Sequence, residues 1–426
     1  MNHEQIRQFW QSFAFTNLLR TFMMAISPSK LAISVLFIVT ACLTGWFMDI
    51  CTRSVIATDD KTVEVETESG NITELDVYVG KSAKEYRSFV SSFEQSESKN
   101  GVFETLWDFG SERFNIISKS LLRLDIKNVI TNLHLCVRAA VWALTFHSFY
   151  SVVYFSILIL LLTIAGGAIC RCAALDFSQG AKPGFTEAIQ FSLNKFQSLL
   201  TAPLIPVLFV TTGAILIFLL GVVGNIPEVG QILFAIGLLP ALLIGLIIAI
   251  AVIGTAAAST IMYPAIAYEG SDGFDAISRC YAYVFIKPLS FGLYTMIAAI
   301  YGAFCHIFVR FFAYLLLIIT YTLISLGINT HSNPDKLDAL WSKPEFFSLV
   351  GINDPIASTL PESVAGFIVN IAVTVPIIVV AAFVVSFYFC SCTIIYALMR
   401  RNVDNTPIDE IYTMLGEIKD IEKDIT

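Results

Sequence analysis

The sequence predicts an all-α polytopic membrane protein with about six transmembrane helices, a repeated two-span unit and a small α+β extramembrane insert. Three observations predict it. The 426-residue chain is 56% hydrophobic and 14% charged, whereas soluble domains carry about 25% charged residues; its mean hydropathy is +0.73. Five long apolar runs lie between Ser151 and Arg401. Three polar links that follow apolar runs also resemble one another: Gly184-Phe185-Thr186-Glu187-Ala188-Ile189, Gly273-Phe274-Asp275-Ala276-Ile277 and Pro407-Ile408-Asp409-Glu410-Ile411. Each is expected to start a helix with an acid in its first turn, where a carboxylate meets the positive end of the dipole.

Backbone polar groups in lipid must bond internally, so runs of this length read as helices. Residues 4–27 mix Phe, Trp and Leu with Arg7 and Arg20 and read as an interfacial amphipathic segment, ended by Pro28. The first span is expected over 31–50, with Lys30 and Trp46 at its two interfaces. No cleavable leader is read there, because the apolar run starts too late for one. Residues 51–150 form the one sizeable polar region. Within it Thr62–Thr67 and Ile72–Val79 alternate and flank a turn, which predicts a β-hairpin. Ala83–Phe93 and Val102–Leu124 have helical spacing, and 131–150 reads as an amphipathic approach to the membrane.

Spans two to six are expected near Ser151–Cys170, Leu199–Val223, Val229–Tyr268, Ser290–Gly327 and Val364–Met399. The last three exceed the ~20 residues a bilayer needs. They either extend beyond it or break into a re-entrant pair. The resulting organisation is an N-terminal segment 1–30, a first span 31–50 and an outer insert 51–150 ending in an interfacial helix. Spans two to four with the first link follow over 151–258, then the second link with spans five and six over 259–399, and a cytoplasmic tail 400–426.

Charge sets the orientation. With both termini cytoplasmic, the inward segments hold Arg7, Arg20, Lys30, Arg171, Lys182, Lys195, Arg279, Lys287, Arg400, Arg401, Lys419 and Lys423. The outer loop 224–228 has no Lys or Arg, and 328–363 has only Lys336 and Lys343 beside five acids. This pattern obeys the positive-inside rule. The net charge of −8 says little, because many of the acids concentrate in one polar segment, but the lack of a basic cluster speaks against nucleic acid.

Candidate functional residues fall in two groups. His306 and Arg310 stand four apart in an apolar run and share a helical face. Ionisable residues in a span are candidates for a substrate path; the plainer reading is an interface anchor. Phe185, Glu187, Phe274, Asp275, Ile408 and Asp409 would form a cytoplasmic interfacial rim; the plainer reading is that these links only turn the chain.

Cys170/Cys172 and Cys390/Cys392 are Cys-x-Cys pairs at equivalent places. Residues i and i+2 do not share a helical face, and no His or carboxylate stands at ligand spacing, so no metal or cofactor is expected. A Cys51–Cys136 bridge across the outer insert is left open. Prolines 203, 206, 240 and 376 read either as ordinary kinks or as the broken helices of transporters. No Walker loop, HExxH or GxSxG occurs, and the chain reads as non-enzymatic.

The stretches Leu19-Arg-Thr-Phe-Met-Met-Ala-Ile-Ser-Pro-Ser-Lys-Leu31, Gly166-Gly-Ala-Ile-Cys-Arg-Cys-Ala-Ala-Leu175 and Glu269-Gly-Ser-Asp-Gly-Phe-Asp-Ala-Ile-Ser-Arg279 resemble a group of uncharacterised multi-pass membrane proteins of planctomycete-type bacteria. More distantly, the arrangement of link plus span is similar to the membrane domain attached to some glycerophosphodiester phosphodiesterases. That resemblance implies a fold and a bacterial inner-membrane location. It implies no phosphodiesterase activity, since no such domain is present. The expected function is membrane organisation, or an accessory subunit holding a larger complex through 51–150 and the cytoplasmic links. The alternative is a transporter or channel with its path between the two repeat units.

Overall fold

The computed structural model describes residues 14–58, 72–81, 83–93, 99–227, 229–329 and 360–412, with 341, 343–346 and 349 between the last two. A 3₁₀ turn (Ala14–Arg20) leads into a short helix α1 (Thr21–Ala25) and then the first long helix α2 (Pro28–Cys51). The segment that follows holds β1 (Arg53–Thr58), β2 (Ile72–Thr73), α3 (Glu74–Gly80), α4 (Ala83–Phe93), β3 (Lys99–Gly101), α5 (Val102–Leu122) and α6 (Ile126–Phe146). The remainder is helical: α7 (Ser148–Gln179), α8 (Phe185–Asn194), α9 (Phe196–Gly224), α10 (Val229–Glu269), α11 (Gly273–Ile286), α12 (Pro288–Asn329) and α13 (Leu360–Asp404).

Among the described residues, seven helices are long and apolar enough to cross a membrane: the six expected spans and α6. The prolines do not break them. Pro203 and Pro206 lie inside α9, Pro240 and Pro264 inside α10, and Pro376 inside α13. Helices α10, α12 and α13 have 41, 42 and 45 residues, so each is about 60 Å long against a hydrocarbon core of about 30 Å. Among the described residues, none of the three runs is a re-entrant pair.

The chain divides into two compact units. The first takes in described residues before Val35, the segment Leu162–Ala298 and the chain from Val385 onward. Its core gathers Ile169, Cys170 and Ala173 of α7, Leu199 and Ala202 of α9, Ile261, Ala265 and Tyr268 of α10, Cys280 of α11, and Cys390, Ile394 and Tyr396 of α13, all buried. Charges are built into this core. Lys30, which the sequence places at a membrane interface, is instead 1% exposed and pairs with Asp176 at 2.6 Å.

Arg171 is fully buried. It donates to the carbonyls of Ala267 (2.7 Å) and Tyr412 (2.8 Å) and stacks on Phe191. Arg400 pairs with Glu269 at 2.7 Å, and Tyr396 donates to the same carboxylate at 3.1 Å.

Each long helix that precedes a link ends the same way. Gly180 (φ 71°) follows α7, Gly270 (φ 61°) follows α10 and Asn405 (φ 55°) follows α13. A left-handed residue at this position lets the last carbonyls find partners, and Gly or Asn adopts it at least cost. Gly180 N–H reaches Asp176 O, and Gly270 N–H reaches Ile266 O.

The second unit, Val35–Leu161 with Ala299–Val384, holds the segment with the three strands. Its sheet runs β2-β1-β3, antiparallel throughout. Val55, Leu75, Val102, Trp142 and Tyr150 share one core under the sheet and helices α3 to α6. The predicted hairpin is corrected here. Ile72–Thr73 does pair, but with β1, and Glu74–Gly80 is helix rather than strand. Thr73 and Asp76 form a reciprocal capping box (Thr73 N–H to Asp76 Oδ2, 3.0 Å) that starts α3 and ends the strand. The Thr62–Thr67 half of that prediction lies outside the described residues. Helix α4 has the predicted bounds, and α5 ends two residues early at a turn through Leu124 (φ 57°).

Candidate functional site

The second unit concentrates polar chemistry where α2 ends, α5 begins and α7 begins. Helix α5 starts at Gly101, which has no side chain to cap it. Asp49 of α2 supplies the carboxylate instead. Its oxygens accept Phe103 N–H (3.1 Å), Glu104 N–H (3.0 Å) and the Tyr150 hydroxyl (2.6 Å). Two of the donors orphaned at a helix start are thereby satisfied.

Beside this joint, Ser54, His147 and Glu74 form a hydrogen-bonded relay. Ser54 Oγ lies 3.1 Å from His147 Nδ1, and His147 Nε2 lies 3.1 Å from Glu74 Oε1. The other Glu74 oxygen accepts Ile56 N–H at 3.3 Å. In the tautomer whose Nε2–H donates to the Glu74 carboxylate, Nδ1 is left to accept the Ser54 hydroxyl. Trp142 meets the His147 ring edge-on at 4.9 Å. Burial and the neighbouring Glu74 carboxylate push the Tyr86 phenol up, so it stays protonated.

A cleft of about 270 Å³ opens on the same unit, walled by Trp46, Phe103 and Trp107, with Asp49, Arg53, Glu104 and Asp108 as its polar part. Desolvation in the cleft and the Glu104 charge push the Asp108 carboxyl up to about 6.

His306 and Arg310 do share a face of α12, and both are buried. The Phe114 ring meets His306 edge-on at 5.1 Å. Arg310 donates to Phe346 O at 2.9 Å and to the Asn115 side chain. The structure thus places both residues in a joint between α12, α5 and the segment at Phe346.

Among the rim residues, Phe185 and Phe274 are exposed. Glu187 folds back to cap α8 through Gly184 N–H (3.1 Å), and Asp275 pairs with Arg279 (3.0 Å). Ile408 and Asp409 occupy a turn, with Ile408 half-buried and Asp409 exposed. The helix expected at Pro407–Ile411 does not form, because the chain there is drawn back along the core. Arg400 holds Glu410 O at 2.6 Å, and Tyr412 N–H bonds Tyr268 O at 2.8 Å. The three links meet: Lys195 donates to Gly270 O and lies over the Tyr412 ring.

The cysteines of both Cys-x-Cys pairs are buried free thiols, and Cys51 and Cys136 are also free. Among the described residues, no three His, Cys, Asp or Glu side chains gather as a metal site. The Ser54–His147–Glu74 relay has no local sequence signature, since its members lie 93 and 73 positions apart. For Asp49 the one sequence signal is an acid at the end of an apolar run.

No family model, curated protein or solved structure matches the chain.

Proposed function

We propose that this is a six-span protein of a bacterial inner membrane, with both termini cytoplasmic. In this reading its outer α+β module is a rigid docking platform for a larger complex. One observation carries the reading. Buried polar joints fasten the module to three long helices of its own unit: Asp49 of α2 to α5, Tyr150 of α7 to Asp49, and Arg310 of α12 to Asn115 of α5. A tethered domain would need none of these, whereas a platform that must hold a partner at a fixed place does.

Six spans rather than seven are supported by the closure of the outer segment. The segment between α2 and α7 begins and ends at one level, because Asp49 touches Tyr150 and Ser54 touches His147. It therefore crosses the bilayer an even number of times. Helix α5 carries Glu104, Asp108, Glu112, Arg113 and Lys119, too many charges for lipid, so neither α5 nor its antiparallel neighbour α6 crosses. Ile126, Ile130, Leu133, Val137, Val141 and Leu144 of α6 are exposed and recur at three- and four-residue spacing along one face. That stripe is the surface proposed for a partner. The three left-handed helix ends at Gly180, Gly270 and Asn405 support a repeated unit with its links on one side. The transporter alternative loses its main support, since Phe114, Asn115 and Phe346 engage His306 and Arg310.

The test is mild-detergent isolation of the full-length protein from its native membrane, beside an Ile130→Lys/Val137→Lys variant. A protein that co-purifies with the wild type and is lost from the variant supports the platform. Equal recovery from both, or a single species in both, defeats it. Cysteines placed at Phe274 and Leu124 should label from opposite faces of sealed vesicles; labelling from one face defeats the six-span topology.

A further inference from the structure

We propose that Ser54, His147 and Glu74 form a serine-nucleophile site for carboxylic esters on the outer module. This goes beyond the platform reading, and it departs from the expectation of a non-enzymatic protein, which rested on contiguous motifs alone. Exposure is ordered as acyl transfer requires. Glu74 is 4% exposed, His147 is half-buried and Ser54 is exposed. The orienting acid is shielded, the base is partly covered, and the nucleophile faces outward.

Ser54 is also the residue the sheet leaves out of register. Arg53 pairs with Gly101 and Val55 with Asn100, so Ser54 stands unopposed in a bulge. Bulges re-aim a side chain and are over-represented beside active sites. A purely structural hydrogen bond would gain little here, because an exposed serine loses an equally good bond to water when it binds His147.

The imidazole is used in the sense set by its partners, with the acid at Nε2 and the nucleophile at Nδ1. Either ring nitrogen can take the serine proton once the other is held. Substrate class follows from what lies beside the nucleophile. The neighbouring cleft is lined by Arg53, the residue before Ser54, by the aromatic rings of Trp46, Phe103 and Trp107, and by the carboxylates of Asp49, Glu104 and Asp108. Aromatic walls suit an apolar acyl or aryl group, and a lining with more acids than bases suits an uncharged ester rather than an anionic one.

In the first step Ser54 Oγ bonds to the ester carbonyl carbon, and its proton passes to His147 Nδ1. The carbon–oxygen bond to the leaving group then breaks, and the alcohol departs with that proton. Water next attacks the acyl-serine and gives its proton to His147, and the carboxylic acid leaves as the Ser54 hydroxyl is restored. Neither step changes oxidation state.

A fluorescent fluorophosphonate tests the site on the detergent-purified full-length protein. Labelling is expected on the wild type and is lost in Ser54→Ala, an exposed position whose change leaves the elution profile intact. His147→Gln, which removes the base, should slow labelling about a hundredfold. If His147→Gln does not fold, Ser54→Cys replaces it. The thiol introduced by Ser54→Cys should then react with iodoacetamide faster than the exposed Cys51 beside it. No labelling of the wild type, under detergent conditions where an ordinary serine esterase is labelled, overturns the proposal. So does labelling that persists in Ser54→Ala, or an introduced thiol no faster than that of Cys51.

Discussion

Gly101 and Asp49 occupy positions that exclude any larger residue at the glycine. A Cβ built on Gly101 would overlap Asp49 Oδ2, the oxygen that accepts Glu104 N–H. Gly101→Ala must therefore displace a buried carboxylate that three donors hold. Asp49→Ala should destabilise the protein by about 2–3 kcal/mol, combining a lost helix cap with a buried Tyr150 hydroxyl left without its acceptor. Thermal unfolding in detergent reads both variants. A Gly101→Ala protein as stable as the wild type would refute the close approach.

Gly180 and Gly270 make a controlled pair. Both have positive φ, but nothing meets a Cβ at Gly180, whereas one at Gly270 would overlap the Tyr412 ring. Gly180→Ala should cost about 1 kcal/mol from backbone strain alone. Gly270→Ala should cost more and should release the chain near Tyr412, detected as faster proteolysis of that segment in Gly270→Ala only.

The Lys30–Asp176 pair is buried on both sides, with side-chain exposures of 2% and 12%. Removing one partner strands a charge, so Lys30→Met alone is expected to cost about 3–5 kcal/mol. The double variant Lys30→Met/Asp176→Leu should recover most of that loss. If the double variant is the sum of the two singles, the residues are not coupled.

Arg310 and Asn115 are expected to act on stability. Arg310→Leu and Asn115→Leu should each lower the unfolding temperature, with a coupling energy of about 0.5–3 kcal/mol in a double-mutant cycle. Purely additive effects would remove the joint between α12 and α5.

Asp108 gives a pH dependence of known sign. Its carboxyl is raised from 3.8 to about 6, so the folded form holds the proton more tightly than the unfolded form. Stability should accordingly rise as pH falls from neutral through about 6 and level off below the unfolded value near 4. Asp108→Asn should flatten the curve across that window; an unchanged curve would assign the effect to another group.

The fold was legible wherever a repeating pattern carried it. Six apolar runs became long helices, and Ala83–Phe93 matches its helix to the residue because its apolar positions recur at helical spacing. Ile72–Val79 failed because alternation is weak evidence over eight residues. The Thr73–Asp76 capping box, also present in the sequence, was the stronger local signal. The helix expected at Pro407–Ile411 failed for a tertiary reason, since Arg400 holds Glu410 O and Tyr268 O accepts Tyr412 N–H. Of the candidate residues, Arg310 was found but its partners were not, as Asn115 lies 195 positions away. The Ser54 relay needed three remote segments brought together and left no mark on any one of them.

The bond from Arg171 to Tyr412 spans 241 positions. At translation rates of about 5–20 residues per second, the guanidinium must wait roughly tens of seconds after its own insertion before that acceptor emerges. The first unit therefore cannot complete its interior helix by helix as the ribosome delivers it. Its final closure belongs to a later stage, when residues 405–412 have emerged, and an insertion chaperone that shields α7 until then would set the yield of native protein.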